Sequence, residues 1–310
     1  MKKEESRTLL KKIGQGDRKV LARAITIVEN GLEGASDILS GLKTNSKIPV
    51  LGVTGPPGAG KSTLINALIS TLSDAGKKIA ILAVDPTSPF NYGSLLGDRL
   101  RMSEHFTDPN VFIRSIATRG SLGGLSEKII EIVDILRASD FDMIIVETVG
   151  VGQSEVEIAG LADTTMVVVV PESGDEIQTL KSGIMEIADI FIVNKCDRDG
   201  SDKLANSLQK MLHDFKNNTW NVPVLKVSAI NNVGIKELIE AIEQHKQVSE
   251  GKEKRLYLLT QKAYHLIEQA RMKDIKKPEL ETALKEAISS ADFNLYLFVD
   301  QYLRRKIGDS

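Results

Sequence analysis

Residues Gly55-Pro56-Pro57-Gly58-Ala59-Gly60-Lys61-Ser62 carry a glycine, four residues, then Gly-Lys-Ser, the spacing of a phosphate-binding loop. Glycines at these places let backbone N–H groups turn inward on a phosphate, and a helix that starts at the end of the loop adds partial positive charge there. The Lys61 ammonium can reach the β- and γ-phosphates of a nucleotide, and the Ser62 hydroxyl can ligate Mg²⁺. Gly55, Gly58, Ala59, Gly60, Lys61, Ser62 and Thr63 are therefore candidate nucleotide-binding residues, and Lys61 is also a candidate catalytic one. A plain glycine turn between a strand and a helix would read the same way in isolation. The flanks argue against it. Residues 48–54 are short, apolar and β-branched, as a buried strand requires. Leu64, Ile65, Leu68 and Ile69 then fall on one helical face.

A second constellation is Asn194-Lys195-Cys196-Asp197, which follows the apolar run 189–193. An aspartate in such a turn can accept two hydrogen bonds from guanine, one from the ring N–H and one from the exocyclic amino group. Adenine offers neither there, and a site built to pair buried polar groups rejects a mismatched base by roughly 10⁴ or more. Asn194 can order the loop and face the guanine carbonyl, and the Lys195 stem can lie across the base. N-K-x-D alone is common by chance; downstream of a phosphate loop, at a strand end, it is specific. The run 222–227 ends in Ser228-Ala229-Ile230, a turn that can present a backbone N–H to the guanine carbonyl. Cys196 fills the variable position of the motif.

The run 142–147 ends in Glu147-Thr148-Val149-Gly150. Gly150 can offer its N–H to a γ-phosphate, and Glu147 can bind Mg²⁺ through a water. Two features depart from the Ras-like pattern. The carboxylate is Glu rather than Asp, and Val151 stands where Ras-like proteins carry the glutamine that orients water. A valine cannot align water, so intrinsic hydrolysis should be slow. Gln153 is close in sequence, with nothing to fix its direction. The run 79–84 ends in Asp85, and Asp98 follows in Gly97-Asp98-Arg99. Both are candidate Mg²⁺ ligands, since that ion keeps several waters and needs one or two carboxylates. Asp98 could instead orient the attacking water, and it is a candidate catalytic residue with Lys61 and Gly150. The bland alternatives are a turn aspartate before Pro86 and a helix-cap or surface acid at 98.

These residues need a frame that brings strand ends together. Strands are predicted at 48–54, 79–84, 111–116, 142–147, 165–170, 189–193 and 222–227. Most are continuous apolar runs, as expected of strands covered on both faces. Helical segments at Leu125 to Leu136, Lys203 to Phe215 and Ile235 to Ile242 separate several of them. The alternation implies an α/β fold with a doubly wound, mostly parallel sheet, whose ligand lies at the carboxyl ends of the strands. This domain is placed at 46–248. Residues 1–45 read as a helical N-terminal extension, with Asp17 as an N-cap before the stripe Val20, Leu21, Ala24, Ile25 and Val28. Residues 249–310 read as a helical C-terminal arm, with a stripe of Leu259, Ala263, Leu266, Ile267 and Ala270 and with Pro278 opening a second helix. Arg119–Gly124 and Pro171–Glu176, with Lys181 beyond, are glycine-bearing loops that could be structural or functional.

The chain has 310 residues, with Lys+Arg 40 against Asp+Glu 42 and a net charge of −2. No basic excess argues for nucleic acid, and no charge block or long apolar run argues for a membrane. One cysteine excludes a disulfide framework and fits a reducing compartment, so a soluble cytoplasmic protein is expected.

As a set, GPPGAGKST, DPTSPFNYGSLLGDRLRM, ATRGSLGGLS, VETVGVGQSE, PESGDEIQ, NKCD and the preceding GDRKVLARAITIVEN make the chain resemble the methylmalonyl-CoA mutase-associated GTPases, also described as arginine/ornithine transport kinases. The resemblance covers nearly the whole chain. It implies a homodimeric P-loop GTPase that binds GTP/GDP with Mg²⁺ and that protects and loads an adenosylcobalamin-dependent acyl-CoA mutase. It further implies switches at Asp85–Asp98, Glu147–Glu155 and Pro171–Lys181, and a dimer arm at 249–310. Two other classes compete. A metal-insertion GTPase would need His or Cys ligands, and His105, His213, His245 and His265 are scattered, with no Cys pair. A kinase of a transport protein would share the phosphate loop, but no acceptor-binding constellation is visible.

Overall fold

The seven apolar runs pair as seven strands in a computed structural model, which describes residues 3–45, 47–85, 102–117, 128–148, 154–173, 184–214, 220–248, 252–272, 274–289 and 293–308. The strands are β1 (Val50–Thr54), β2 (Ile79–Asp85), β3 (Val111–Ala117), β4 (Met143–Glu147), β5 (Thr164–Val169), β6 (Ile190–Val193) and β7 (Val224–Lys226). Every pairing is parallel, and the order across the sheet is β3-β2-β4-β1-β5-β6-β7. A parallel sheet has both faces covered, which explains why these strands lack a polar alternation. All five residues of β1 and all six of β5 are buried.

Alternate side chains of each strand enter opposite cores. On one face Val50, Ala80, Leu82, Ile144 and Val146 pack with residues of three N-terminal helices, α1 (Lys3–Gly14), α2 (Arg18–Glu29) and α3 (Ala35–Gly41), and of α5 (Ile129–Arg137) and α6 (Ser154–Leu161). On the other face Leu51, Val53, Ile81, Ile145, Met166 and Val168 pack with α4 (Lys61–Asp74) and α9 (Ile235–Val248). A third cluster joins Val167, Val169, Phe191 and Val193 to α8 (Ser201–Asp214), beside the one-turn helix α7 (Ile184–Ile187). Each fully buried Leu or Ile contributes about 1.5–3 kcal/mol. The expected stripe on α2 is the buried one: Leu21, Ala24, Ile25 and Val28 face the core, and Asp17 accepts hydrogen bonds from the Lys19 and Val20 N–H groups at 3.1 Å each.

Register places the functional ends side by side. Val53 pairs with Glu147, Thr54 with Val167, and Val169 with Val193. β1, β4, β5 and β6 therefore end side by side at the carboxyl end of the sheet.

The chain divides into two compact units, residues 1–251 and 252–310. The second holds α10 (Lys252–Arg271), α11 (Lys277–Ile288) and α12 (Leu295–Gly308). Pro278 lies in the first turn of α11, and Asn294 Oδ1 caps α12 by accepting from the Tyr296 and Leu297 N–H groups. No residue of α11 is buried, and Leu259, Leu266 and Ile267 of α10 are exposed. Among the described residues no helix is long and apolar enough to cross a membrane.

Candidate functional site

The glycine loop leaves β1 at Thr54 and enters α4 at Lys61. Its tight path needs backbone that other residues adopt poorly: φ is 137° at Gly55, 78° at Gly58 and 83° at Gly60. Space is short as well. A Cβ on Gly55 would lie 2.0 Å from the Val168 carbonyl oxygen of β5, and one on Gly60 would lie 2.5 Å from Asn194 Nδ2. Lys61 is almost fully buried, and its ammonium donates to the carbonyls of Gly55 at 2.8 Å and Pro56 at 3.1 Å. The charge is thus held against the carbonyls that open the loop. Thr63 is exposed on the first turn of α4.

Behind the loop, the Ser62 hydroxyl donates to Glu147 Oε1 at 2.7 Å, and both side chains are buried. Two hard oxygen ligands side by side fit Mg²⁺, which would complete its shell with water and phosphate oxygens. Among the described residues no group of three or more His, Cys, Asp or Glu could hold a metal on its own. The end of β4 is sewn to β1 by a pair the sequence did not reveal: the Thr148 hydroxyl meets that of Thr54 at 2.9 Å, and the Thr148 N–H donates to Val53 O at 3.1 Å.

Asn194 directly follows β6 and is buried. Its Nδ2 donates to the Ala59 carbonyl at 2.8 Å, and its Oδ1 accepts from the Ala229 N–H at 3.2 Å. One amide thus binds the phosphate loop, the N-K-x-D turn and the Ser228 turn into a single body. In this structure the Ala229 N–H has Asn194 as its partner, and both ends of the Asn194 amide bond within the protein. Lys195 adopts φ 57° and donates to Gly58 O at 2.9 Å, so its stem lies over the loop.

Asp197 is exposed, with its carboxylate held by the Ser228 hydroxyl, which in turn accepts from Asn231 Nδ2 at 2.8 Å. That hydroxyl, followed by the residue's own backbone N–H, keeps the Asp197 carboxyl below the usual aspartate range. It therefore presents two acceptor oxygens at neutral pH. Ile230 is 79% exposed at the tip of the Ser228 turn, and Ser228 and Val233 close that turn with an antiparallel bridge.

Asp98, Gly150, Val151, Gln153, Arg119–Gly124 and the stretch 174–181 lie outside the described residues. So does the side chain of Asp85, whose backbone ends β2. Sequence reasoning missed Arg198 and placed Glu172 only within the loop Pro171–Glu176. Arg198 donates from Nη1 to Glu172 Oε1, joining the turn after β6 to the 3-10 segment Pro171–Ser173 after β5. Their neighbours in sequence were noticed, but nothing in a linear pattern pairs them.

A doubly wound parallel sheet, a glycine loop that buries a lysine, and an N-K-x-D turn locked to that loop define a P-loop GTPase. The sequence model described as methylmalonyl Co-A mutase-associated GTPase MeaB matches residues 21–281, and the chain belongs to that family. It is 42% identical to a protein of Pyrococcus abyssi over 97% of this chain and 96% of that one. It is 38% identical to GTPase ArgK of Escherichia coli, over 75% of this chain and 73% of its relative. Among solved structures, a LAO/AO transport system kinase superposes with a TM-score of 0.70 at 25% identity, covering 99% of both chains.

Proposed function

We propose that this GTPase is a Mg²⁺-dependent chaperone that protects an adenosylcobalamin-dependent acyl-CoA mutase and gates the loading of its cofactor, with methylmalonyl-CoA mutase the first candidate client. Membership of a family named for its association with that mutase supports the client. The observation that carries the hydrolytic part is the buried contact between Ser62 and Glu147 beside the Lys61 ammonium.

In this reading the loop N–H groups and Lys61 hold the β- and γ-phosphates. Lys61 stabilises the charge that builds toward the β–γ bridge as the terminal phosphoryl group transfers to water. Ser62 and Glu147 would hold Mg²⁺, which would supply charge neutralisation for the phosphates. Gly150 would donate its N–H to the γ-phosphate, and Asp85 and Asp98 would add to the metal shell or orient water. Asp197 selects guanine, while Asn194 and Lys195 keep the guanine turn in register with the phosphates. Valine at 151 makes the isolated protein slow, so its nucleotide state persists long enough for a partner to read or reset it.

The exposed apolar residues of α10 and α12, including Leu259, Ile267, Leu295 and Leu297, support self-association through residues 249–310 as a homodimer. Sedimentation of the full chain as a monomer would remove that part. For the chaperone role, GTP turnover is measured with and without purified mutase. Acceleration of about 10³–10⁵, the scale of a contact supplied in trans in other GTPases, is the upper range to expect. A rate unchanged by saturating mutase, with complex formation verified, would overturn it. The name of the LAO/AO transport system kinase keeps phosphorylation of a protein as a second reading. Labelled GTP decides, since a labelled acceptor means a kinase and labelled inorganic phosphate means a hydrolase.

A further inference from the structure

The turn that reads the base is held from below by Asn194 and from one side by Ser228. It has a third support on its outer side. Lys195 O accepts from the Arg198 N–H at 3.0 Å, so residues 195–198 form one tight turn with Asp197 at its tip. The Arg198 guanidinium then reaches Glu172, in the segment directly after β5. Two further contacts join the same two segments. Asn194 N–H donates to Val169 O at 2.8 Å, and Gly200 lies against Pro171, whose Cβ is 3.8 Å from where a Gly200 Cβ would stand. β5 is also the strand whose Val168 carbonyl closes against Gly55. The segment at 171–173 is therefore continuous with a wall of the phosphate loop and tied to the guanine turn.

We propose that Arg198 and Glu172 are positioning residues for guanine recognition: their ion pair clamps the 195–198 turn to the end of β5 and so sets the angle at which Asp197 meets the base. The Arg198 hydrogen bond, first, and the Glu172 backbone N–H keep the Glu172 carboxyl below its usual range, with Lys195 adding attraction. Glu172 is thus an anion facing two cations of the turn. Both partners of the pair are about half exposed, so its strength is that of a surface contact and its role is geometric. The inference rests on the reading of Asp197 as the guanine acceptor and is independent of the mutase assignment.

Inosine diphosphate separates positioning from general support. It keeps the ring N–H of guanine and lacks the exocyclic amino group, so it can make only one of the two bonds to Asp197. The affinities of the full chain for GDP and IDP are measured for the native protein, Glu172→Gln, Arg198→Gln and the double variant. Each single change should lower GDP affinity about two- to five-fold, the scale of an exposed ion pair, and IDP affinity by less. The double variant should be no worse than either single one, as for two residues acting through one contact. Losses that add, equal losses for both nucleotides, or no loss would overturn the proposal while leaving the guanine reading intact. Equal affinity of the native protein for GDP and IDP would overturn both.

Discussion

Asn194 Nδ2 donates to the carbonyl oxygen of Ala59 at 2.8 Å, across 135 residues of chain. The N-K-x-D turn and the phosphate-binding loop thus share one hydrogen bond. Asn194→Ala would leave the Ala59 carbonyl and the Ala229 N–H, both in buried residues, without this partner. Each orphaned buried group costs about 1–3 kcal/mol. Thermal melting should show a lowered midpoint, and calorimetric titration should show GDP affinity reduced about ten-fold or more, taking 1.4 kcal/mol per decade. Asn194→Asp keeps the acceptor for Ala229 but sets a buried carboxylate oxygen against the Ala59 carbonyl, so it should lose at least as much stability.

Lys61→Ala should abolish GTP turnover while leaving circular dichroism unchanged. In the proposed mechanism Lys61 supplies positive charge where negative charge develops during phosphoryl transfer, so its loss would raise the barrier far more than it perturbs the fold. Turnover at the native rate would show that the loop had been misread.

Asp197→Asn replaces one acceptor oxygen with an NH₂ donor, which suits the 2-oxo group of xanthine. The variant should lose affinity for GTP and gain it for xanthosine triphosphate, in competition against a fluorescent nucleotide. The native protein should ignore ATP in the same assay.

Gly55 and Gly58 share positive φ yet should respond differently to alanine. At Gly55 the new Cβ meets the Val168 carbonyl at 2.0 Å, a backbone atom that cannot swing away. At Gly58 nothing lies within 4 Å. Gly58→Ala should therefore cost only its left-handed backbone, about 1–2 kcal/mol. Gly55→Ala adds overpacking of about 1–3 kcal/mol or more on top of that. Urea midpoints of the two variants decide.

Ser228→Ala should change the pH dependence of GDP binding. The Ser228 hydroxyl is the main reason the Asp197 carboxyl ionises below its ordinary range. A carboxyl whose folded value is depressed keeps its contribution above the unfolded value and loses it as pH falls through the folded one. GDP affinity in the native protein should thus persist as pH falls into the ordinary carboxylate range and fail only below it. In the variant the failure should move to higher pH.

The sequence by itself determined the elements and their chemistry. Strands buried on both faces are apolar throughout, so most of the seven were legible as continuous apolar runs; β7, half-buried and ending at the exposed Lys226, was legible as a shorter run flanked by Pro223. The glycine loop and N-K-x-D turn were legible because phosphate and guanine demand fixed residue types at fixed spacing within a few residues. Strand order was not legible. Only the folded sheet sets β1 between β4 and β5, because pairing depends on how helices cover both faces and not on any local pattern. That order puts Ser62 on Glu147 across 85 residues, Asn194 on Ala59 across 135, and Arg198 beside Glu172. Such contacts join positions far apart in the chain, and a side chain's partner there is chosen by backbone placement, which a linear sequence leaves unstated. The Ala229 N–H shows the same limit: its residue type and turn were readable, while its acceptor was decided by where β6 and β7 bring Asn194.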